Sequence, residues 1–229
     1  MPAEEDTDCP PAGVTESYPA VTKESVTAVA DQLRMLCRRY AANLPFHGWH
    51  HLGFVREKAV EFAERNGAEV SIVETAALVH DLNYLVRRNS PASTGSALRM
   101  RILHRAKVGT SEALWIDRVV DEAEMRTRGR HISIEAQALS DADTLFKALP
   151  VTPVVLAHRY LAENQISLRE LADKIVGEQH GPLEAGFYFY DSEAASTYSR
   201  WAGANLRLWH CIRESLDDPA VVRLLDAVG

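Results

Sequence analysis

Apolar residues recur at intervals of three and four along most of the chain, and this spacing restricts the fold more than any other feature of the sequence. In the first such run, Val26, Val29 and Leu33 share one side of a helix, because positions three and four apart lie on the same helical face. Similar stripes follow as far as about residue 212, and no segment alternates convincingly between apolar and polar residues as a half-buried strand does. The sequence therefore predicts an all-α fold.

Length and composition predict one large domain. The chain has 229 residues, of which 46% are hydrophobic, and this is enough to form one sizeable core. Residues 1–20 are acidic and rich in proline with few large apolar groups, so we expect a flexible tail there. Residues 21–229 are predicted to form a single helical domain.

Charge and cysteine content argue against several classes of protein. The formal net charge of -7 argues against binding to a nucleic-acid polymer, which needs a basic face. No apolar run is long enough to span a membrane, and the acidic N-terminus lacks the basic and apolar pattern of an export signal. Cys9, Cys37 and Cys211 are widely separated, which is typical of reduced thiols, so we expect a cytoplasmic protein.

An unusual polar pair lies inside the apolar stretch Ala76–Leu82, where His80 and Asp81 are adjacent. Burying an imidazole beside a carboxylate is unfavourable unless both groups are satisfied. Hydrogen bonds to neighbouring residues would satisfy them in a purely structural core, and a bound divalent cation would satisfy both at once. Whether the pair is structural or binds a metal ion depends on which other polar residues point inward.

Two other predicted helices supply inward-pointing polar residues. His51 lies one turn before Val55 on an apolar face, and His80 lies on the apolar stripe of the following helix. A later helix carries Asp141 and Asp143, and periodicity does not decide between them because each aligns with apolar neighbours. Imidazole and carboxylate ligands without nearby cysteine fit Mn, Fe, Ni, Co, Mg or Zn.

In this order the residues resemble the HD superfamily of metal-dependent phosphohydrolases. The matching segments are Phe46–His51, Ala77–Asp81 and Asp141–Leu145. An ordered set of this kind in an all-helical chain is more specific than a lone His-Asp pair. The resemblance covers roughly residues 25–150. It implies an HD-domain-like helical bundle around a metal core, with additional C-terminal helices over residues 151–229.

The resemblance also implies roles for individual residues. His51 corresponds to the first metal histidine, and His80 with Asp81 to the pair that names the superfamily. Asp143 corresponds to the closing metal aspartate, because residues 142–145 match the Ala-Asp-x-Leu frame of many relatives. Asp141 is then expected to be either a carboxylate that supports the metal ligands or a catalytic carboxylate on the substrate side. We expect one divalent metal ion, with a second as the alternative.

Three further histidines each have a functional and a structural interpretation. His47 is expected to act catalytically as a proton donor, as a histidine at this place does in related enzymes, or else to be a loop residue. His104 and His131 lie in the interval where dinuclear members place extra ligands. We favour one metal ion, with His131 in a catalytic position and His104 near the substrate. The alternatives are a surface position for His104 and substrate contact alone for His131.

Arg87, Arg126 and Arg130 are expected to bind substrate, because guanidinium groups bind phosphate bidentately.

The implied function is hydrolysis of a small phosphate ester, for example a nucleotide, by a metal ion that activates water and polarises the phosphoryl group. One alternative is a di-iron oxygenase on the same scaffold, which requires His104 and His131 as ligands. Another alternative is a regulatory module that has kept the fold but lost catalytic activity. The sequence has Asn83 and Tyr84 where some nucleotidase members carry a glutamate, so the substrate stays open.

The segment from Gly177 to Ser192 contains Gly181, Pro182 and Gly186 and ends in a run of aromatic residues. Glycine and proline interrupt helices, so we predict a long ordered loop there. A loop of that length is often functional, and this one is a candidate lid over a site.

Overall fold

The structure, a computed structural model, describes residues 20–228. Within that range the chain forms twelve α-helices and one short 3-10 helix, Ala92–Gly95, and contains no strand. The α-helices are α1 (Lys23–Arg39), α2 (Trp49–Asn66), α3 (Val70–Val79), α4 (Asn83–Val86), α5 (Ser96–Arg105), α6 (Thr110–Glu122), α7 (Ile134–Ala148), α8 (Val151–Val155), α9 (Ala157–Asn164), α10 (Leu168–Glu184), α11 (Ser192–Ser215) and α12 (Pro219–Val228). The predicted all-α fold is confirmed. The predicted flexible tail falls, except for Ala20, outside the described residues.

The core forms where α2, α3 and α7 pack against one another. α3 is surrounded, because α1 and α6 also pack against it and every residue from Ala76 to Val79 is fully buried. A helix that is apolar on all sides is stable only in such an environment. On α2, Val55, Ala59 and Phe62 are buried, so the apolar face predicted at Val55 lies in the core. Polar residues at the ends of these helices are therefore held by a close-packed core.

The C-terminal half is added to this core through α11, which packs against both α7 and α10. α10 begins with a capping box: the Glu170 amide donates to Ser167 Oγ, and the Ser167 amide donates to Glu170 Oε2. α11 is 24 residues long, yet neither it nor any other helix in residues 20–228 has the length and apolar composition needed to cross a membrane.

The segment predicted as a loop from Gly177 to Ser192 is mostly helical. α10 continues to Glu184, and only residues 185–191 connect it to α11. Val176 directly precedes this part of α10 and Gln179 lies within it, and both are buried, so tertiary packing outweighs the low helix propensity of glycine and proline. The connection is also held, because Tyr188 is buried and its hydroxyl donates to Gln179 Oε1 at 2.8 Å. The prediction of a long loop is wrong, and these contacts do not favour a lid.

A buried arginine holds the 3-10 helix against α6. The Arg99 side chain is fully buried and donates to the Ala92 carbonyl oxygen at 2.8 Å. It also donates to Asp117 Oδ1 at 2.6 Å and to Asp121 Oδ1 at 3.1 Å. A buried guanidinium is tolerated because carboxylates and a carbonyl satisfy it together. This network fixes a segment that also lines the cavity described below.

Replacing Arg99 tests that network. We expect Arg99→Ala to lower the free energy of unfolding by about 3 kcal/mol, because it leaves a cavity and removes the partner of two carboxylates. Arg101 is exposed on the same helix, so Arg101→Ala should change stability by less than about 0.5 kcal/mol. Urea denaturation of both variants measures the difference. Equal stabilities would show that the Arg99 network does not support the fold.

Candidate metal centre

The three helices of the core each bring a predicted ligand to one point. His51 lies in the first turn of α2, His80 caps the C-terminal end of α3, and Asp81 follows in the turn that leads to α4. Asp143 lies within α7. α2 begins directly after Gly48, where a Cβ atom would lie only 2.8 Å from the Leu44 carbonyl oxygen, so glycine permits this close approach.

Three donor atoms lie in a tight triangle. Asp81 Oδ2 is 2.8 Å from His51 Nε2 and 3.0 Å from His80 Nε2, and the two Nε2 atoms are 3.2 Å apart. Asp143 Oδ1 is 3.7 Å from His51 Nε2. His51, His80 and Asp81 form a group of side chains close enough to share one metal ion, with Asp143 beside it. The structure thus brings together the four residues that the sequence singled out as metal ligands.

The hydrogen bonds around the triangle fit a cation. His80 Nδ1 lies 2.8 Å from the Ala77 carbonyl oxygen, which can only accept, so Nδ1 carries the proton and Nε2 presents a lone pair in the neutral ring. Backbone carbonyls commonly fix metal-binding imidazoles in this way. Asp81 Oδ2 is buried without a hydrogen bond of good geometry among residues 20–228, although two imidazole nitrogens lie close to it. A divalent cation would satisfy this oxygen and both nitrogens, so the residues fit the metal that the sequence implies.

Burial and charge shift the pKa of each of these groups. Burial lowers the pKa of His51, and Asp81 offsets this only in part. Burial opposes the charged form of His80 as well, but the attraction of Asp81 is stronger and the pKa is raised. Burial would raise the pKa of Asp81, yet the neighbouring imidazoles hold it well below its usual range. The cluster therefore keeps its carboxylate ionised, which is the form that binds a cation.

A lysine one turn along α7 holds the fourth candidate ligand. Lys147 Nζ lies 2.5 Å from Asp143 Oδ2. Burial opposes ionisation of both groups, but their mutual attraction lowers the pKa of Asp143 and raises that of Lys147. Asp143 thus has one oxygen toward Lys147 and the other toward His51.

The four candidate metal ligands His51, His80, Asp81 and Asp143, called the donor cluster below, lie beside a cavity of about 130 Å³. Three of them, His80, Asp81 and Asp143, help to line it. Cationic side chains line the same cavity: Lys147, Lys174 and Arg126. Lys174 Nζ and Arg126 Nε share one acceptor, Glu178 Oε1, at 2.5 and 2.9 Å. Burial lowers the pKa of Lys174 although Glu178 opposes the shift, so an anion beside this ammonium group would stabilise it. The cavity therefore combines metal-ligand chemistry with a site for negative charge.

The three arginines that are predicted to bind substrate do not all line the cavity. Arg126 lines the cavity, whereas Arg87 is exposed and lies outside its lining. Arg130 is also exposed, donates to the Ala185 carbonyl oxygen at 2.5 Å and lies over the ring of Phe187. Through these contacts Arg130 holds the connection formed by residues 185–191. Only Arg126 of the three predicted arginines is placed to meet a ligand in the cavity.

His104 and His131 do not reach the donor cluster. Both are exposed, His104 in the last turn of α5 and His131 before α7, and neither lines the cavity. The expectations of substrate contact for His104 and of catalysis for His131 are corrected accordingly. The extra ligands that a di-iron site requires are thus not brought to the cluster. His47, in contrast, is buried and lines the cavity.

Asp141 points away from the cavity. Its buried carboxylate accepts a hydrogen bond from the Tyr190 amide at 2.9 Å and from the Asp191 amide at 2.7 Å. Asp191 is the N-cap of α11, so Asp141 fixes the start of that helix against α7. Because both carboxylate oxygens are engaged by backbone amides, the expectation of a substrate-side catalytic role for Asp141 is corrected to a structural one.

Sequence reasoning missed three residues: Lys147 and Lys174, which line the cavity, and Glu163, which does not line it but binds Nδ1 of His47, which does. Lys147 could have been found, since it follows Asp143 by four positions and therefore lies on the same helical face. Lys174 and Glu178 show the same spacing, but no local pattern places α10 beside the cavity. Glu163 is almost fully buried, and no sequence signal marks it.

Removal of one donor tests the metal site. We expect His80→Ala to weaken Mn²⁺ binding by roughly 100-fold or more, because loss of even a residue that supports a ligand weakens binding by 10–100-fold. Isothermal titration calorimetry with MnCl₂ measures the affinity and the stoichiometry, which should be about one ion per chain. His104→Ala is the matched control on an exposed helix end and should bind as the wild type does. Equal affinities of the two variants would contradict the site.

Comparison with known proteins identifies relatives by sequence. No family model matches the chain. The uncharacterized protein YpgQ of Bacillus subtilis (strain 168) is 33% identical over 103 residues, which are 43% of this chain. The matched segment spans half the length of that curated relative.

Solved structures share the fold over most of the chain. A crystal structure of a Lactobacillus plantarum protein is 19% identical with a TM-score of 0.60, covering 86% of this chain and 96% of that one. The crystal structure of Bacillus subtilis YpgQ in complex with ADP is 22% identical with a TM-score of 0.56, covering 85% and 97%. Another YpgQ crystal structure is 23% identical with a TM-score of 0.55, covering 80% and 95%. The chain therefore has the helical fold of these proteins.

Proposed function

We propose that this protein is a metal-dependent phosphohydrolase of the HD superfamily, acting on a small phosphate ester with a nucleotide as the first candidate. The observation that carries the proposal is the triangle of His51, His80 and Asp81 donor atoms beside a cavity with cationic side chains. Metal ligands alone are compatible with many reactions. Their combination with an anion site in one cavity favours phosphoryl chemistry.

The donor set determines which ions are candidates. His51, His80, Asp81 and Asp143 would hold the cation, and mixed nitrogen and oxygen ligands suit Mn, Fe, Co, Ni, Zn or Mg. A divalent ion held there would supply Lewis acidity, which would polarise a phosphoryl oxygen and make water more acidic. Lys147 holds one oxygen of Asp143, so this side chain orients the carboxylate that completes the ligand set.

The cationic side chains would bind the phosphate oxygens. Lys174 and Arg126 both donate to Glu178 Oε1, and Arg126 Nη2 also donates to Asn89 Oδ1, yet each side chain keeps N–H groups for an anionic ligand. The guanidinium of Arg126 can bind two oxygens at once, and the ammonium of Lys174 acts as a point charge. Both would draw a phosphate group into the cavity toward the donor cluster.

A nucleotide is the first candidate substrate because the related YpgQ structure contains ADP. A nucleotide supplies both the anionic groups that Lys174 and Arg126 would bind and an ester or anhydride bond to cleave. The apolar part of the cavity, which includes Leu171 and Ile175, would accommodate the remainder of such a ligand.

Phosphate release from a panel of nucleotides and sugar phosphates tests the proposed function. With Mn²⁺, Co²⁺, Ni²⁺ or Mg²⁺ present, we expect the wild type to hydrolyse at least one member and Asp81→Ala to be inactive. No release of phosphate or pyrophosphate from any member with any of these ions would contradict the proposal.

Lys174→Ala tests the anion site separately. Loss of a charged hydrogen bond is worth about 1.5–3 kcal/mol, so we expect KM for the accepted substrate to rise roughly 10-fold or more. Lys58→Ala is the control, since Lys58 pairs with Glu61 on α2 and does not line the cavity. Steady-state kinetics of both variants measure the effect. An unchanged KM for Lys174→Ala would remove Lys174 from the substrate site.

A further inference from the structure

Glu163 is a buried carboxylate whose partners all lie far away in the sequence. It belongs to α9, and its side chain is 1% exposed. Glu163 Oε2 accepts hydrogen bonds from the Phe46 amide at 2.7 Å and from the His47 amide at 3.1 Å. Glu163 Oε1 binds the Nδ1 atom of His47. A carboxylate is seldom buried so completely, and here three donors on two consecutive residues satisfy it.

The ring of His47 is fixed on several sides. It stacks on Tyr84 with a centroid distance of 3.5 Å and an interplanar angle of 18°. Phe46, Tyr160 and His51 meet the ring at steep angles, with centroids 4.8 to 5.8 Å away. These contacts leave the imidazole little freedom to rotate.

The second ring nitrogen of His47 is available to a ligand. Nε2 has no hydrogen-bond partner in the part of the chain that the structure describes, and His47 lines the cavity together with His80 and Asp81. An ionised carboxylate can only accept hydrogen bonds, so Nδ1 must carry the proton that faces Glu163. The neutral ring is thereby held as the Nδ1–H tautomer with Nε2 directed away from Glu163.

We infer that Glu163 is a positioning residue: it fixes the orientation and tautomer of His47 so that Nε2 faces a ligand in the cavity. A carboxylate behind an imidazole has this effect in metal sites and catalytic triads. The activity part of this inference rests on the proposed phosphohydrolase function, whereas the tautomer part does not. It gives α9 a role in a site whose metal ligands all lie in the first 143 residues.

A purely structural role is the competing explanation, because Glu163 also holds the backbone of the turn before α2. Glu163→Gln separates the two roles. Glutamine keeps the size of the side chain and an oxygen for the amides, but it has an N–H donor to place against His47 Nδ1. The His47 tautomer should then change while the turn is retained.

The first measurement is the ¹⁵N spectrum of histidine-labelled protein with bound Mg²⁺, which is diamagnetic. We expect the Nδ1–H tautomer for His47 in the wild type and its loss in Glu163→Gln. Glu163→Asp retains a carboxylate and should retain the tautomer in part, which keeps the inference testable if the glutamine variant does not fold. Glu184 is exposed near the end of α10 and pairs with His180 Nε2 at 3.2 Å, so in the control Glu184→Gln only the His180 signal should change and the His47 signal should be that of the wild type. An identical His47 signal in the wild type and in Glu163→Gln would overturn the inference.

The second measurement is a double-mutant cycle in steady-state kinetics. We expect Glu163→Gln to lower kcat roughly 10–100-fold, the usual loss when a supporting partner is removed, with little change in KM or in Mn²⁺ affinity. If Glu163 acts through His47, adding Glu163→Gln to His47→Ala should cause no further loss. Independent, multiplying losses would overturn the inference. The Nδ1–H tautomer in a wild type without phosphohydrolase activity would support the orientation and overturn the proposed function instead.

Discussion

The site depends on the burial of polar side chains at the end of an apolar helix. His51 and His80 are 1% and 8% exposed, and the last four residues of α3 before His80 are fully buried. Close-packed helices hold the imidazoles beside Asp81, whose buried Oδ2 lies close to both Nε2 atoms but has no hydrogen bond of good geometry in the described chain. Such an arrangement is unfavourable unless another group compensates it. The need for that compensation is the physical basis of the proposed metal site.

The two halves of the chain contribute different parts of the site. α2, the C-terminal end of α3 with the turn that follows it, and α7 carry the metal-ligand candidates. α10 carries Lys174 and Glu178, which line the cavity, and α9 carries Glu163, which binds the cavity-lining His47. The C-terminal helices are therefore part of the cavity rather than an addition to a complete domain. The Asp141 carboxylate contributes to this arrangement by fixing the start of α11 against α7.

Helical spacing was sufficient to predict the all-α fold and the inward direction of His51 and His80, because both histidines lie in line with buried apolar residues. It could not separate Asp141 from Asp143, which project about 160° apart on a helix that is buried on most sides. The two aspartates are distinguished by the Tyr190 and Asp191 amides, which come from a distant part of the chain and donate hydrogen bonds to Asp141. Glu163 and Lys174 depend on tertiary packing in the same way, so no local pattern could assign them to the site.

Anomalous X-ray diffraction from crystals soaked in Zn²⁺ tests the central claim most directly. One strong peak per chain is expected, at a ligand distance of about 2.0–2.2 Å from His51 Nε2, His80 Nε2 and a carboxylate oxygen of Asp81. Asp143 is expected to be the remaining protein ligand. An ordered Zn²⁺ ion elsewhere in the crystal, with no peak between these four residues, would contradict the claim.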